Sequence, residues 1–184
     1  NDRRQGILSD AIRPNAAHVA LAELEARWPG KMLIVTQNID NLHERAGSRN
    51  VIHMHGELLK ARCGACGSIF SCNFDLAQET PCSDCMRAGS LRPHVVWFGE
   101  MPLEMDRIYT ALSRCDFFLS IGTSGSVYPA AGFIQEVSQS GHAQTIELNM
   151  EPSKGRSFFE EQRYGPATVI VPAYVNELLN KVPV

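Results

Sequence analysis

The chain has 184 residues, 44% of them hydrophobic and 20% charged, with a formal net charge of -3. That size and balance are those of an ordinary globular protein with one substantial core and room for a small insert. No run approaches the roughly 18 apolar residues of a membrane span, no basic stripe marks a nucleic-acid surface, and Asn1-Asp2-Arg3-Arg4 is not a signal peptide. The expectation is a cytoplasmic protein with no membrane and no nucleic-acid partner.

The first residues resemble the middle of a helix, and the chain does not begin with Met, so a fragment or processed product is expected. From Asn15 to Trp28 the apolar positions Ala16, Val19, Ala20, Leu24 and Trp28 recur at helical spacing until Pro29-Gly30 ends the pattern. Met32 to Thr36 reads as a buried strand, Asn38 to Ala46 as a helix stopped by Gly47, and Val51 to His55 as a second strand. Alternation then breaks. Residues 58–91 hold four paired cysteines, Pro81 and several Gly and Ser, and read as an inserted module. Beyond it the pattern predicts a strand at Pro93–Phe98, a helix at Leu103–Arg114, a strand at Asp116–Ile121, a helix at Pro129–Gln139 and a strand at Gln144–Leu148. A helix at Phe158–Tyr164, a strand at Ala167–Val171 and a helix at Ala173–Lys181 complete it. Strands separated by helices of this length pair in parallel through right-handed crossovers. The predicted fold class is therefore α/β: a doubly wound, Rossmann-like parallel sheet formed by residues 1–57 and 92–184, with a small metal-binding module at 58–91.

Cys63-Gly-Ala-Cys66 and Cys82-Ser-Asp-Cys85 are separated by fifteen residues. Two knuckles of this kind bring four thiolates to one ion, and a closed shell of four soft ligands suits structural zinc. A redox pair or two disulfides would use the same residue type, but the doubled motif with a ribbon-like spacer points to metal. Cys72 and Cys115 lie outside the pattern.

Three strand ends carry polar clusters: Thr36, Gln37, Asn38 and Asp40; Gly122-Thr123-Ser124-Gly125; and Asn149-Met150-Glu151-Pro152. Each taken singly is also an ordinary turn or helix cap. In an open parallel sheet, however, carboxyl strand ends line the ligand crevice. Small residues there admit phosphates, and an acid with an amide can take ribose hydroxyls. His55, before Gly56, is the best placed general base, because imidazole titrates near neutrality; His53 lies two residues earlier on the same face.

Thr36-Gln37-Asn38-Ile39-Asp40, His55-Gly56, the paired Cys-x-x-Cys, Phe98-Gly99-Glu100, Gly122-Thr123-Ser124 and Asn149, in this order, resemble the sirtuin family of NAD-dependent protein lysine deacylases. The wording NVIHMHGELLK, LRPHVVWFGEMP and IGTSGSVYPAAGF is similar in particular to bacterial members that also remove succinyl groups. The resemblance spans nearly the whole chain and implies NAD and zinc as cofactors and acylated-lysine proteins as substrates.

Residue by residue, it implies that His55 would be the general base toward the nicotinamide-ribose hydroxyls, after the acyl oxygen attacks the ribose and nicotinamide departs. Asn38 and Asp40 would hold the nicotinamide end and its ribose, with Gln37 and Ile39 beside them. Gly122, Thr123 and Ser124 would line the adenosine and phosphate side, Asn149, Met150 and Glu151 the adenosine ribose, and Ala167 the adenine. Val96, Phe98 and Gly99 would frame the acyl-lysine tunnel, with the peptide added as a strand between Phe98-Gly99-Glu100 and the Gly125 to Tyr128 segment that includes Val127. Cys63, Cys66, Cys82 and Cys85 would carry the zinc. Arg3 resembles the arginine of a Tyr-x-x-Arg pair that reads the distal carboxylate of a succinyl group, which a guanidinium can grip with two parallel bonds.

One family feature has no counterpart: the opening strand and its Gly-Ala-Gly-x-Ser loop occur nowhere in the 184 residues. The expectation is thus a deacylase of which this chain is an incomplete domain with impaired NAD binding. The alternatives are ADP-ribosyl transfer with the same cofactor, or a non-catalytic fragment that binds NAD or acyl-lysine.

Overall fold

The computed structural model describes residues 1–181. Helix α1 (Asp2–Leu8) is followed by α2 (Ala16–Arg27), whose start is written locally. Asn15 accepts from the backbone N–H groups of Ala17 and His18, and the His18 ring accepts in return from Asn15 N, which satisfies donors that a helix end leaves orphaned. Strands β1 (Ile34–Thr36) and β2 (Val51–His53) pair in parallel across α3 (Leu42–Ala46), which Gly47 closes at φ 111°. Strands β3 (Gly56–Cys63), β4 (Ile69–Ser71) and β5 (Leu91–Val95) form an antiparallel sheet in the order β4-β3-β5. After α4 (Met105–Leu112) come β6 (Phe117–Ile121), α5 (Phe133–Ser140), β7 (Gln144–Asn149), β8 (Glu161–Tyr164) and α6 (Ala167–Lys181). Strands β6, β7 and β8 make a second parallel sheet.

The architecture is the doubly wound α/β arrangement expected, with its parallel layer in two parts, β1-β2 and β6-β7-β8. Alternate side chains show the winding. Ile34, Leu119, Ile121, Ile146 and Leu148 pack with α2 and α6 in one cluster, whereas Val35, Ile52 and Phe118 join α4 and α5 in the other. Each cluster takes residues from both parts of the layer, so the helices bridge what the ladders do not. No helix among the described residues is long and apolar enough to cross a membrane.

Three predicted elements differ. The strand at Pro93–Phe98 is β5, and it pairs antiparallel with β3 instead of joining the parallel layer. The segment predicted as a helix at Phe158–Tyr164 is a short 3-10 turn, Arg156–Phe158, followed by β8. Its residues Glu-Gln-Arg-Tyr offer no apolar alternation, but pairing with β7 satisfies the backbone, and Arg163 adds bonds to both oxygens of Glu177 at 2.7 Å. The β-branched run Thr168–Val171, predicted as a strand, is the first turn of α6, because Val171, Tyr174, Val175, Leu178 and Leu179 bury one helical face.

Helix α1 is stitched to residues 74–76, between the cysteine knuckles. Arg4, 1% exposed, donates through Nε to Leu58 O at 3.0 Å and through Nη1 to Phe74 O at 3.1 Å. Asn1 exchanges side-chain bonds with both backbone groups of Leu76, and Gln5 donates to Asp75. Two residues of α1 and its N-cap therefore reach one short loop.

Leu148 is fully buried in the cluster under α2 and α6. Replacing it with Ala is expected to cost about 2–5 kcal/mol, the range for a buried leucine that leaves a partly relaxed cavity. Denaturant unfolding with an unchanged m-value checks this; a loss under about 1 kcal/mol would show that the core collapses into the space.

Candidate active site

The turn after β1 is organised by its own side chains. The hydroxyl of Thr36, a buried residue, accepts from Asn38 N at 3.0 Å, and Asp40 Oδ1 accepts from Leu42 N at 3.0 Å in a turn leading into α3. The backbone is then held from the next strands: Met54 N donates to Thr36 O at 3.1 Å and Leu58 N to Ile39 O at 2.8 Å. The carbonyls of Gln37 and Asn38 are left to side chains. His55 Nδ1 meets Gln37 O at 3.1 Å, and His53 Nδ1 meets Asn38 O at 3.2 Å.

These contacts set the tautomers. A carbonyl only accepts, so each Nδ1 carries a proton. In neutral His55 the lone pair is then on Nε2, which has no partner among the described residues. Val96 N donates to the backbone carbonyl of His55 at 2.9 Å, which brings the stretch after β5 directly beside it.

Gly56 follows at φ 81°, and a Cβ there would collide with the carbonyl oxygen of His94. The strand after His55 can lie against β5 because this position has no side chain.

Of the predicted substrate residues, Phe98 is fully exposed, and Trp97, Met101, Val127 and Tyr128 are exposed as well, an apolar surface on two loops. Gly99, at φ 86°, has open space where a Cβ would stand. Glu100 is committed elsewhere. Its carboxylate takes Arg92 Nη1 and Nη2 at 2.6 and 2.8 Å, Arg62 at 3.3 Å and Trp97 N at 3.0 Å. The Arg92 bonds, then the Trp97 amide, hold its pKa down at about 2. Its contribution to stability is complete above the ordinary carboxylate range and is lost only as the pH falls toward that value. Arg3 is exposed on α1, one position from the buried Arg4.

The second cluster joins the ends of β6 and β7. Gly122 N donates to Leu148 O at 3.0 Å, and Asn149 Nδ2 donates to Thr123 O at 2.7 Å while its Oδ1 takes Met150 N at 2.9 Å. Gly122, at φ 64°, borders open space, so a ligand can approach this backbone closely. Gly125 N points at Thr123 Oγ1 at 3.5 Å, and Lys154 N donates to Ser124 O at 3.3 Å. Glu151 is exposed beside them, and Gly165 N donates to Asn149 O, so Ala167 begins α6 one turn away. A separate cavity of about 510 Å³ lies at the amino ends of β6 and β7, lined by Trp28, Phe117, Gln144 and Tyr174. The polar residues gather at the opposite, carboxyl ends, where parallel strands place their ligands.

The four predicted cysteines also converge. Their sulfurs lie within 4.8 Å of one another, with Cys63 to Cys85 and Cys66 to Cys82 each at 3.7 Å, and none forms a disulfide. Four sulfurs about 2.3 Å from one tetrahedral ion would stand roughly 3.8 Å apart, so the set fits zinc. The Ser90 hydroxyl beside it lowers the Cys63 thiol to about 6, whereas burial and the neighbouring sulfurs push Cys85 up to about 11, so the fit to zinc rests on the geometry of the four sulfurs. The sequence pattern did not single out Arg4 or the Glu44 carboxylate beside His53 Nε2; Glu44 is nine residues away, with no motif to join it to His53.

The Sir2 family model matches residues 2–129. The chain is 59% identical over 179 residues to the NAD-dependent protein deacylase of Pasteurella multocida (strain Pm70), covering 97% of this chain and 76% of that one. It is equally 59% identical over 179 residues to the NAD-dependent protein deacylase of Salmonella typhimurium, there covering 65% of the relative's length. Among solved structures, a Sir2 homologue in complex with NAD is similar at a TM-score of 0.81 and 37% identity, over 91% of this chain and 66% of that one. Sir2Af2 bound to a myristoylated histone peptide is similar at 0.76 and 34%, over 91% of this chain and 73% of that one. With most of its length matched by the family model and both clusters at the strand ends in place, the chain belongs to the Sir2 family.

Proposed function

We propose that this chain provides the catalytic residues of an NAD-dependent protein lysine deacylase acting on acetyl-lysine and succinyl-lysine. The observation that carries the reading is the bond from His55 Nδ1 to the Gln37 carbonyl. It orients the ring and leaves Nε2 as the open base at a strand end, beside Asn38 and Asp40. The relatives' deacylase activity and the NAD complex of a similar chain support the same reading.

NAD, when bound, supplies an electrophilic ribose carbon and nicotinamide as its leaving group. Asn38, Asp40, Gln37 and Ile39 would hold the nicotinamide end, and His55 Nε2 would take a proton from a ribose hydroxyl. Gly122, Thr123 and Ser124, with Asn149, Met150, Glu151 and Ala167, would hold the adenosine side. The acylated peptide would lie between the loop of Val96, Phe98 and Gly99 and that of Gly125 and Val127, with Glu100 shaping its loop through Arg92. Arg3 would grip the succinyl carboxylate. Cys63, Cys66, Cys82 and Cys85 would hold a structural zinc in a closed shell. Residues 1–57 and 92–184 would form the NAD-binding domain, and 58–91 the metal module, of a cytoplasmic enzyme.

Substituting His55→Ala should lower NAD-dependent nicotinamide release by at least about 100-fold, the scale of a lost general base. Activity within a few-fold of the original would overturn that role. Arg3→Met should lower kcat/KM for a succinyl-lysine peptide by roughly 10- to 100-fold, as expected for about 1.5–3 kcal/mol from a charged bond, with a smaller loss for acetyl-lysine. Equal losses would show that Arg3 does not read the carboxylate. Metal analysis should find about one zinc per chain. Its removal by a chelator, or by Cys82→Ser, should lower the Tm; an unchanged Tm would exclude a structural ion.

A further inference from the structure

His53 and His55 sit two residues apart, and each rests Nδ1 on one of two consecutive carbonyls, Asn38 O and Gln37 O. Their other nitrogens differ. His53 Nε2 meets Glu44 Oε1 at 2.7 Å, with the His53 side chain only 7% exposed. A carbonyl at one nitrogen and a carboxylate at the other both require a donor, which only the doubly protonated ring supplies. We propose that His53, held as an imidazolium between the Asn38 carbonyl and the Glu44 carboxylate, is a positioning residue that fixes the Gln37–Asp40 turn against which His55 and the nicotinamide end of NAD are set. The role in turnover rests on the deacylase reading; the charge state does not.

The pair explains why one strand end carries two histidines. His55, with Nε2 open, is left as a base, whereas His53, with Nε2 taken, is left as a charge. The Asn38 residue that the cation holds by its carbonyl also has its N–H fixed by Thr36 Oγ1 at 3.0 Å, so the peptide groups on both sides of this residue are pinned. The charged groups around His53 are Glu44 on α3 and Glu57 on β3; the nearby His43, whose Nδ1 is buried and unpartnered, has its pKa lowered by burial first, then by His18 and, least, by His53, and its ring faces His18 with centroids 4.8 Å apart. Asp40, in the same turn, acts on His43. Burial alone works against charge on His53, but the Glu44 bond and field, the Asn38 carbonyl and Glu57 outweigh it and raise its pKa above the usual value. His53 bonding in turn lowers the Glu44 carboxyl against its own burial. The sign follows: with a raised folded-state pKa, the contribution of the pair is full below the ordinary histidine range and is lost as the pH rises through the His53 value.

Two measurements test this. The ring-nitrogen shifts of His53 in the unmodified chain, followed by NMR across pH, should show a doubly protonated ring at pH 7 and a midpoint above that of an ordinary histidine; Glu44→Gln should lower that midpoint by about one unit or more, the scale of a lost ion pair. A neutral His53 tautomer at pH 7 in the unmodified chain overturns the proposal, and this titration needs no variant to fold. In the full-length enzyme, the ratio of Glu44→Gln to unmodified kcat/KM for NAD should fall at least about five-fold between pH 6 and pH 8, following the variant's lowered midpoint. Taking the ratio cancels the titration of His55. A ratio independent of pH overturns the positioning role. Absence of turnover in both proteins, with the NMR result as expected, would instead refute the deacylase reading and leave the imidazolium in place.

Discussion

Between the parallel strand that ends at His53 and the antiparallel strand that leads to the cysteines lie only Met54 and His55. Gly56 then passes so close to the backbone of His94 that a Cβ would collide with its carbonyl oxygen. This close approach is the constraint on which the site depends. It lets β3 lie against β5, puts the Val96 amide on the His55 carbonyl, and so ties His55 to the loop carrying the exposed Phe98. The same crossing takes the chain out of the parallel layer and into the sheet that bears the knuckles. His55 and the four clustered cysteines are thus joined through one short strand because one residue has no side chain.

The two clusters at the strand ends use different means to one end. In the first, carbonyls of an irregular turn are held by imidazoles reaching across from the neighbouring strand. In the second, a single amide, Asn149, bridges two loops by donating to Thr123 O and accepting from Met150 N. Backbone that a regular ladder does not satisfy is satisfied by side chains, and irregular backbone held in this way can present both N–H and C=O groups to a ligand. Behind both, apolar residues from the two parts of the parallel layer share their cores with the helices, so each cluster stands on a rigid base.

Much of this was legible from residue order. An apolar run stopped by Thr36 to Asp40, a histidine before a glycine and two Cys-x-x-Cys pairs each announce a local chemistry, because the spacing alone brings the groups within reach. What escaped depends on partners distant in sequence. Thr168 to Val171 has strand-like residues yet lies in a helix, since α2 and the parallel layer reward burial of one helical face; Glu161 to Tyr164 is polar yet lies in a strand, since β7 offers an edge. The bond between Glu44 and His53, and the depth of Arg4 as against Arg3, belong to the same class. Two adjacent arginines look equivalent in a sequence until the packing of one of them is known.

That last contrast has a mechanical side. Arg4 anchors α1 through carbonyls at Leu58 and Phe74, while Asn1 and Gln5 grip Leu76 and Asp75, and one guanidinium nitrogen of Arg4 remains buried without a partner. A helix of seven residues has little tendency to hold its shape alone. The order of α1 is therefore borrowed from what it grips, the loop of Phe74, Asp75 and Leu76 between the two cysteine pairs and the Leu58 carbonyl of β3. The exposed Arg3 is carried on that helix, so the loop between the two cysteine pairs supports a side chain more than fifty residues ahead of it in the chain.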